Sequence, residues 1–380
     1  MNGTSLAELS LDRNSVSRWY IFVRSPKLKS ADPGLEKDQF IYPLAAAGLG
    51  LAAGALLGRF IRPAYSFKDK TVLITGGTRG LGLVLARQFA GEGARVAVCS
   101  RDRGEVERAY EDLSARGAQV FSTVCDVRER ENVLRLVAEV RRELGPIDVL
   151  INNAGVIQVG PLAVQTQKDF EDAMSIHFWA PYYAIQAVIP EMRARGEGRI
   201  ANIASIGGKI AVPHLAPYCA SKFALAGLSS AMTAELAKDG IRVTTVYPGL
   251  MRTGSHINAL FKGKNEAEYA LFSIMNGLPL TSISAERAAA DIVTALRNGK
   301  SSAVISLQAK LANTINSLFP EVMSEIFAIT NRFLPEDGGV GKGYATGLES
   351  TSAISPSILT ALVDNASARN NELRPGESIA

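Results

Sequence analysis

Short apolar runs rich in β-branched residues alternate with longer amphipathic stretches from Thr71 onward. This alternation is typical of βαβ units, in which helices bury both faces of a parallel sheet. Seven strands are predicted, at Thr71 to Thr75, Arg95 to Ser100, Gln119 to Val127, Ile147 to Asn152, Arg199 to Ala204, Arg242 to Tyr247 and Ala303 to Leu307. Crossover helices are predicted at stretches such as Leu81 to Gly91, Val133 to Leu144 and Ala220 to Lys238. The pattern therefore predicts an α/β fold, a Rossmann-like doubly wound sheet that binds ligands beyond the carboxyl ends of its strands.

The amino-terminal segment lies outside this pattern. Residues 1–39 are polar and carry both signs of charge, which predicts a flexible arm. Ile41 to Gly58 contain no charged residue over 18 positions, near the lower limit of about 17 to 25 for a membrane-spanning helix. Residues 40–62 are therefore a candidate transmembrane helix. Because Ala and Gly predominate, a buried or surface-docked helix of a soluble protein remains the alternative.

Composition argues against two other classes of site. The 41 Lys and Arg against 37 Asp and Glu give a net charge of +4 with no basic stripe, so we expect no nucleic-acid partner. The cysteines and histidines lack the spacing of metal ligands or of a disulfide framework, so we expect no metal site.

A glycine-rich turn follows the first predicted strand. Its sequence is Thr75-Gly76-Gly77-Thr78-Arg79-Gly80-Leu81-Gly82, and an amphipathic helix comes next. Glycines at such positions let the backbone turn tightly and approach a pyrophosphate, while the helix amino terminus faces the anion. The turn therefore predicts a dinucleotide site.

Tyr218 and Lys222 stand four residues apart on a predicted helix, so both project from one face. Lowering a tyrosine pKa from about 10 to about 7 requires roughly 4 kcal/mol of preferential phenolate stabilisation. A unit positive charge about 4 Å away is worth a similar amount at an effective dielectric near 20. The pair is thus suited to proton exchange near neutral pH.

Five motifs occur in one order along the chain, namely the T-G-x-x-x-G-x-G turn, Asp126-Val127, Asn152-Asn153-Ala154-Gly155, Ser205 with Tyr218-x-x-x-Lys222, and Pro248-Gly249. Over residues 71 to about 310 the sequence resembles the compact single-domain branch of the short-chain dehydrogenase/reductase family. The resemblance implies that Tyr218 is the acid/base, Ser205 bonds the substrate carbonyl, and Lys222 also holds the nicotinamide ribose. It implies that Asp126 and Val127 contact adenine, that the Asn152–Gly155 motif lines the cofactor floor, and that Pro248 to Thr253 cover the nicotinamide.

The end of the second strand bears on cofactor choice. An NAD enzyme usually places a carboxylate there for the ribose 2′-hydroxyl, whereas this chain has Cys99-Ser100-Arg101. Arg101, with Arg79 of the glycine turn, would suit a 2′-phosphate. The expected cofactor is NADP(H), which in turn favours a cytoplasmic catalytic domain anchored to the membrane by residues 40–62, or a soluble cytoplasmic protein if that segment is not a span.

His177 departs from the family pattern, which usually has an asparagine there that holds a proton-relay water. Two interpretations are open. His177 either replaces that residue in the relay, because imidazole can carry protons, or is a packed helix residue and the relay is altered.

The carboxyl-terminal third is less specific. Apolar residues between Met251 and Leu280 predict either a lipophilic pocket or lid, or the core of two small helices. After the catalytic domain, assigned to residues 68–310, a helical extension is predicted at residues 311–334, which could close the pocket, pair subunits or lie on a membrane. The polar residues 335–380 predict a disordered tail.

The leading hypothesis is hydride transfer between NADP(H) and a carbonyl or alcohol on a small apolar, lipid-like substrate, by an enzyme that could form a homo-oligomer. The alternative from another class is a membrane-tethered NADP(H) sensor without turnover, which only His177 favours. A sugar-nucleotide epimerase is disfavoured by the glycine spacing and the short carboxyl region.

Overall fold

The computed structural model of the protein describes residues 64–379. The predicted arm at 1–39 and the candidate transmembrane helix at 40–62 lie outside the described residues. From residue 64 to residue 379, no helix has the length and apolarity needed to cross a membrane.

Seven parallel strands form the main sheet, which confirms the predicted fold class. They are β1 (Thr71–Thr75), β2 (Arg95–Ser100), β3 (Val120–Val124), β4 (Ile147–Asn152), β5 (Gly198–Ile203), β6 (Ile241–Pro248) and β7 (Ser302–Ile305). Their spatial order is β7-β6-β5-β4-β1-β2-β3. The order reverses beside β1, and a crevice that can hold a ligand opens at such a reversal.

Helices cover both faces of the sheet. They are α1 (Gly80–Gly91), α2 (Arg103–Ala115), α3 (Arg130–Leu144), α4 (Gln167–Met174), α5 (Ala180–Arg195), α6 (Ala216–Glu235), α7 (Asn265–Gly277), α8 (Ala285–Arg297), α9 (Leu307–Leu318), α10 (Pro320–Asn331) and α11 (Ala361–Arg369). Side chains of β1 alternate between two cores. Val72 and Ile74 join the core under α1 and α8, whereas Leu73 joins the core under α3 and α5.

Two predicted strands end earlier than expected. The third strand stops at Val124, whereas the prediction ran to Val127. The last strand was predicted to reach Leu307 but stops at Ile305, because the Ser306 hydroxyl accepts a hydrogen bond from the Ala309 amide and starts α9. The helical extension thus begins at Leu307 rather than at residue 311.

The two helices of the extension, α9 and α10, are separated at Phe319, and Pro320 occupies the first turn of α10. Many of their large apolar side chains are exposed, including Leu311, Leu318, Phe319, Ile326 and Ile329. The three interpretations of this segment therefore stay open.

The predicted disordered tail over residues 335–380 is wrong for the residues described. Ala345–Thr346 pair antiparallel with Leu260–Phe261, and Val363 and Ala366 of α11 are buried. The segment is ordered although it is polar, because its side chains bond to loops of the catalytic domain and do not need a separate apolar core. The catalytic domain and the tail belong to one compact unit that starts at Ala64.

Candidate active site

The residues of the predicted motifs lie at the carboxyl ends of β1, β4, β5 and β6. The glycine turn follows β1, Asn153 to Gly155 follow β4, Ser205 follows β5, and Gly249 follows β6. Helix α6 then carries Tyr218 and Lys222 to the same end of the sheet. The sequence motifs therefore converge on one crevice, as the fold predicts.

Ser205, Tyr218 and Lys222 form the chemical centre of this crevice. The Tyr218 ring and the Ser205 hydroxyl lie side by side next to Gly207, and the Ser205 hydroxyl accepts the Gly207 amide at 3.0 Å. Lys222 Nζ lies 5.6 Å from the centre of the Tyr218 ring and donates to the Ile203 carbonyl at 2.9 Å. A hydroxyl pair and a buried amine thus face one another.

Burial controls the protonation of both Tyr218 and Lys222. It raises the pKa of Tyr218 to about 12, although the nearby Ser205 hydroxyl lowers it in part. It lowers the pKa of Lys222 to about 7. Desolvation thus dominates the pKa of Tyr218 here, and the lowering of that pKa by a protonated Lys222 stays a prediction.

His177 is fully enclosed beneath Tyr218. Its Nε2 accepts the Val156 amide at 3.2 Å and its Nδ1 lies 2.8 Å from Ser221 Oγ, which donates to the Tyr218 carbonyl. With Nε2 an acceptor, Nδ1 carries the hydrogen and donates to Ser221, so the ring is neutral. Burial, helped by the charge of Lys222, holds the pKa of His177 well below its ordinary value. The geometry favours the packed interpretation over the relay.

Asn153 shapes the glycine turn. Its side chain donates to the carbonyls of Thr75 and Gly76 at 3.2 and 2.9 Å. The amides of Asn153 and Ala154 in turn donate to Thr75 Oγ1. The motif after β4 therefore fixes the conformation of the turn after β1, a role that the spacing alone did not indicate.

A buried polar network lies below the chemical centre. Asn152 donates to the Asn202 side chain at 2.8 Å, and Asn202 donates to Ser229 at 3.0 Å. Thr245 donates to Ser229 at 2.6 Å. Neighbouring strands β4, β5 and β6 are thereby linked to helix α6 by satisfied hydrogen bonds.

The predicted adenosine end of the crevice lies around the end of β2. Ser100 is partly buried and Arg101 is exposed. The positive charge of Arg101 contributes to a lowered pKa of Asp126, of which the main cause is the hydrogen bond from Arg128. Val127 is buried. Arg101, Asp126 and Val127 thus lie together, as a nucleotide site would require.

Arg79 does not face the crevice unpaired. Its guanidinium lies 3.2 Å from the Glu372 carboxylate and 3.6 Å from Glu105. Sequence reasoning found no acid at the end of β2 and missed Glu372, which lies in the segment predicted to be disordered. Glu372 is one of six carboxylates in residues 335–380, and nothing in the sequence distinguishes it from the others.

The loop after β6 closes the other side of the crevice. Thr253 is buried, its hydroxyl lies 2.8 Å from Ser255 Oγ, and its carbonyl accepts the Asn370 side chain. Gly249 packs closely against Ser306 and Ala309 at the start of α9. Pro248 and Gly249 therefore position the loop, and Thr253 faces both the crevice and the tail.

The apolar residues between Met251 and Leu280 divide into two groups. Phe261 and Tyr269 are fully buried, and Tyr269 stacks on His256 at 5.7 Å between ring centres. Leu271 and Met275 of α7 are exposed. The first set forms core, as one interpretation predicts, whereas the lipophilic pocket or lid stays a prediction.

The arrangement of polar groups along this crevice suits a dinucleotide cofactor. The amino terminus of α1 faces the turn after β1, and polar groups suited to a ribose and a carboxamide lie at Lys222 and Thr253. At the phosphate end the fit is incomplete, because the Gly80 amide donates to the Asn370 carbonyl at 2.9 Å. The tail therefore shares the site.

Comparison with known proteins agrees with this geometry. The short chain dehydrogenase family matches residues 70–260. Gluconate 5-dehydrogenase of Gluconobacter oxydans is 36% identical over 189 residues, 50% of this chain and 74% of that protein. Dehydrogenase/reductase SDR family member 7B of Danio rerio is 30% identical over 295 residues, 76% of this chain and 94% of that protein. The family match includes the glycine turn, Ser205, Tyr218, Lys222 and the loop after β6.

A solved structure supports the same assignment. A crystal structure of an actinorhodin polyketide ketoreductase variant with NADPH has a TM-score of 0.56 and 30% identity, and the match covers 64% of this chain and 97% of that one. The chain belongs to the short-chain dehydrogenase family, and thereby to the nicotinamide-dependent oxidoreductases that act on alcohol and ketone groups.

Proposed function

We propose that the protein is an NADP(H)-dependent oxidoreductase that interconverts a carbonyl and an alcohol on an apolar substrate. The observation that carries this proposal is the juxtaposition of the Tyr218 ring and the Ser205 hydroxyl around Gly207, with the buried amine of Lys222 5.6 Å from the centre of that ring. A protein that only sensed the nucleotide would have no use for an acid/base hydroxyl beside a buried amine.

In this proposal each of the three side chains has one task. The bound nicotinamide supplies or accepts the hydride. Tyr218 gives its hydroxyl proton to the substrate oxygen during reduction and takes it back during oxidation. Ser205 donates a hydrogen bond to the same oxygen, and Lys222, once protonated, favours the phenolate that Tyr218 becomes.

The proton on Tyr218 also needs a source. Because burial brings the pKa of Lys222 to about 7, this amine exchanges protons at physiological pH and can recharge Tyr218. Its anchor on the Ile203 carbonyl keeps the amine beside the phenol through the exchange.

The preference for NADP(H) is proposed from Arg101, which is exposed and close to Asp126. A 2′-phosphate would form a charge-assisted contact with Arg101 that a 2′-hydroxyl cannot. The related ketoreductase structure with NADPH supports this choice. We expect Arg101→Ala to raise the apparent KM for NADPH about 10-fold or more and to leave that for NADH unchanged. Arg103→Ala is the matched control, and an equal effect on both nucleotides would refute the preference.

The apolar substrate is proposed from exposed side chains on α7 and from the name of one relative. Leu271 and Met275 are 38% and 39% exposed although their neighbours are core residues. A putative ketoacyl reductase of Streptomyces coelicolor is 39% identical over 187 residues. A lipid-like ketone or aldehyde fits both observations.

Attachment to a membrane through residues 40–62, with a cytoplasmic catalytic domain, is part of the proposal and rests on the sequence alone. Fractionation of cells that express the full chain tests it. The protein is expected in the membrane fraction and to be released by detergent but not by salt or carbonate. Recovery of the full chain in the soluble fraction without detergent would refute attachment.

The proposed activity is tested by NADPH oxidation with the detergent-solubilised full chain and a panel of apolar ketones and aldehydes. Tyr218→Phe removes only the exchangeable hydroxyl, and turnover is expected to fall at least about 1,000-fold, as for a lost acid/base group. Tyr110→Phe, at an exposed position on α2, is the matched control. Tight NADPH binding without turnover on any substrate would instead favour the sensor.

A further inference from the structure

We propose that residues 370–374 are an internal ligand of the glycine turn, which the dinucleotide must displace in order to bind. The inference rests on the proposed function, because it concerns the phosphate end of the nucleotide site. It assigns an autoinhibitory role to a segment whose composition predicted disorder.

The first contact is with the backbone of the turn itself. The Gly80 amide, at the amino terminus of α1, donates to the Asn370 carbonyl at 2.9 Å. The Asn371 side chain donates to the Thr78 carbonyl at 2.8 Å and to the Glu105 carbonyl at 3.1 Å. An amide at the start of this helix is a donor that a phosphate would use, and here the chain itself satisfies it.

The second contact is a buried carboxylate. A Cβ placed on Gly80 would lie 2.5 Å from Glu372 Oε1, so this carboxylate rests directly on the glycine surface that a pyrophosphate would approach. Arg79 pairs with Glu372 at 3.2 Å, and the Asn258 side chain donates to it at 2.8 Å. An anion supplied by the chain thus occupies the positive end of α1.

Glu372 is held there at a cost. Burial raises the pKa of Glu372, and the attraction of Arg79 offsets that effect only in part. Because burial disfavours the charge of Glu372, its carboxylate regains hydration when it leaves the turn, which offsets part of the loss of its contact with Arg79. The contact is therefore suited to exchange.

The helix before this segment is firmly attached. The Ser367 hydroxyl donates to the Gly254 carbonyl at 3.0 Å, and His256 Nε2 lies 3.0 Å from Asp364. A Cβ on Gly254 would lie 2.4 Å from Ser367 Cα, so only glycine allows this approach, and its φ of +90° also favours glycine. Helix α11 thereby keeps the following residues beside the crevice at a high effective concentration.

The step that binding requires is short. Asn371 has a φ of +59°, and the chain becomes exposed from Arg374 onward. Release of residues 370–374 from the turn would free the Gly80 amide and remove Glu372 from the Arg79 guanidinium, which would keep its contact with Glu105 at 3.6 Å. The apparent affinity for the dinucleotide is then reduced by the fraction of molecules in which the tail is released.

Two measurements on the full chain test the inference, and neither depends on turnover. The first is titration calorimetry of NADPH, and in parallel NADH, with wild type, Glu372→Ala and the double variant Asn371→Ala/Glu372→Ala. Asp337→Ala, at an exposed carboxylate elsewhere in the carboxyl-terminal segment, is the matched control. We expect about 10-fold tighter NADPH binding for Glu372→Ala, a further gain for the double variant, and no change for the control.

The second measurement is amide hydrogen exchange of wild type with and without saturating NADPH. The Glu372 amide, which donates to the Ser367 carbonyl, and its neighbours up to residue 374 are expected to exchange faster when NADPH is bound. Equal or weaker NADPH binding by both variants, or unchanged or slower exchange in the tail, would overturn the inference while the proposed function stands. Absence of binding by wild type and by every variant would instead refute the proposed nucleotide site.

Discussion

Replacement of His177 by Leu tests whether this residue carries protons or holds the site together. The substitution keeps a side chain of similar volume but removes both nitrogens. The Val156 amide would lose its acceptor, at a cost of about 1–3 kcal/mol, and Ser221 would lose a donor worth about 1 kcal/mol. The greater apolarity of Leu offsets roughly 1–2 kcal/mol. We expect His177→Leu to be about 1–2 kcal/mol less stable than wild type at pH 7.

The pH dependence of that difference is the sharper test. Because the pKa of His177 in the folded protein is well below its ordinary value, the unfolded state binds a proton below about pH 6.5 that the folded state does not. Wild-type stability should therefore fall as the pH drops below that value, by up to about 1.4 kcal/mol per pH unit from this group alone. The variant lacks this loss, so the two stabilities should meet near pH 5.

Urea denaturation followed by circular dichroism, on both proteins in the same detergent between pH 7.5 and 5, measures this difference. His214 and His256 are present in both proteins, so their contributions cancel in the difference between the two free energies of unfolding. A gap that stays constant over the whole range would show that His177 is not held neutral. A loss of turnover above about 100-fold with no change in stability, together with an altered pH profile of kcat/KM, would assign the relay to His177 and refute the packed interpretation. Under the relay interpretation His177→Asn would retain activity. If His177→Asn lost more activity than His177→Ala, the relay interpretation would be contradicted.

Two further predictions concern stability and use matched pairs of variants in thermal or urea unfolding. Lys262→Met leaves the buried Asp169 carboxylate without its cation and should lower the free energy of unfolding by about 3–5 kcal/mol. Lys264→Met, at an exposed ion pair with Glu336, should lower it by under about 1 kcal/mol. Equal losses for the two variants would refute the importance of burial. Gly227→Ala, with no atom within 4 Å of the added methyl group, should stabilise α6 by roughly 0.5–1 kcal/mol. Gly277→Ala should destabilise instead, because its Cβ would lie 2.3 Å from the Leu359 carbonyl oxygen, and a neutral result there would show that the tail does not pack on α7.

The sheet and the chemical centre were accessible from the sequence because each depends on local patterns. A strand buried on both faces, such as Val72 to Ile74, is apolar at every position, and the tyrosine and lysine of one helix face are fixed by their spacing. The protonation states of Tyr218 and Lys222 were harder to predict from the sequence. Two groups four residues apart attract one another in any helix, but the desolvation that moves the pKa of Tyr218 upward depends on everything packed around it.

The order of the tail could not be predicted from the sequence, because its contacts are polar and join residues distant in sequence. Apolar periodicity marks a segment that forms a core, whereas residues 370–372 are ordered by hydrogen bonds and an ion pair with the turn after β1. A polar segment of this kind has the composition of a disordered chain until its partner surface is known. The same property suits it to reversible binding, since a competing anion can replace the acceptors that Asn370 and Glu372 offer to the Gly80 amide and the Arg79 guanidinium. The sequence predicts disorder for residues 370–372 because their composition does not reveal the partner surface. The structure shows them ordered because they bind the glycine turn.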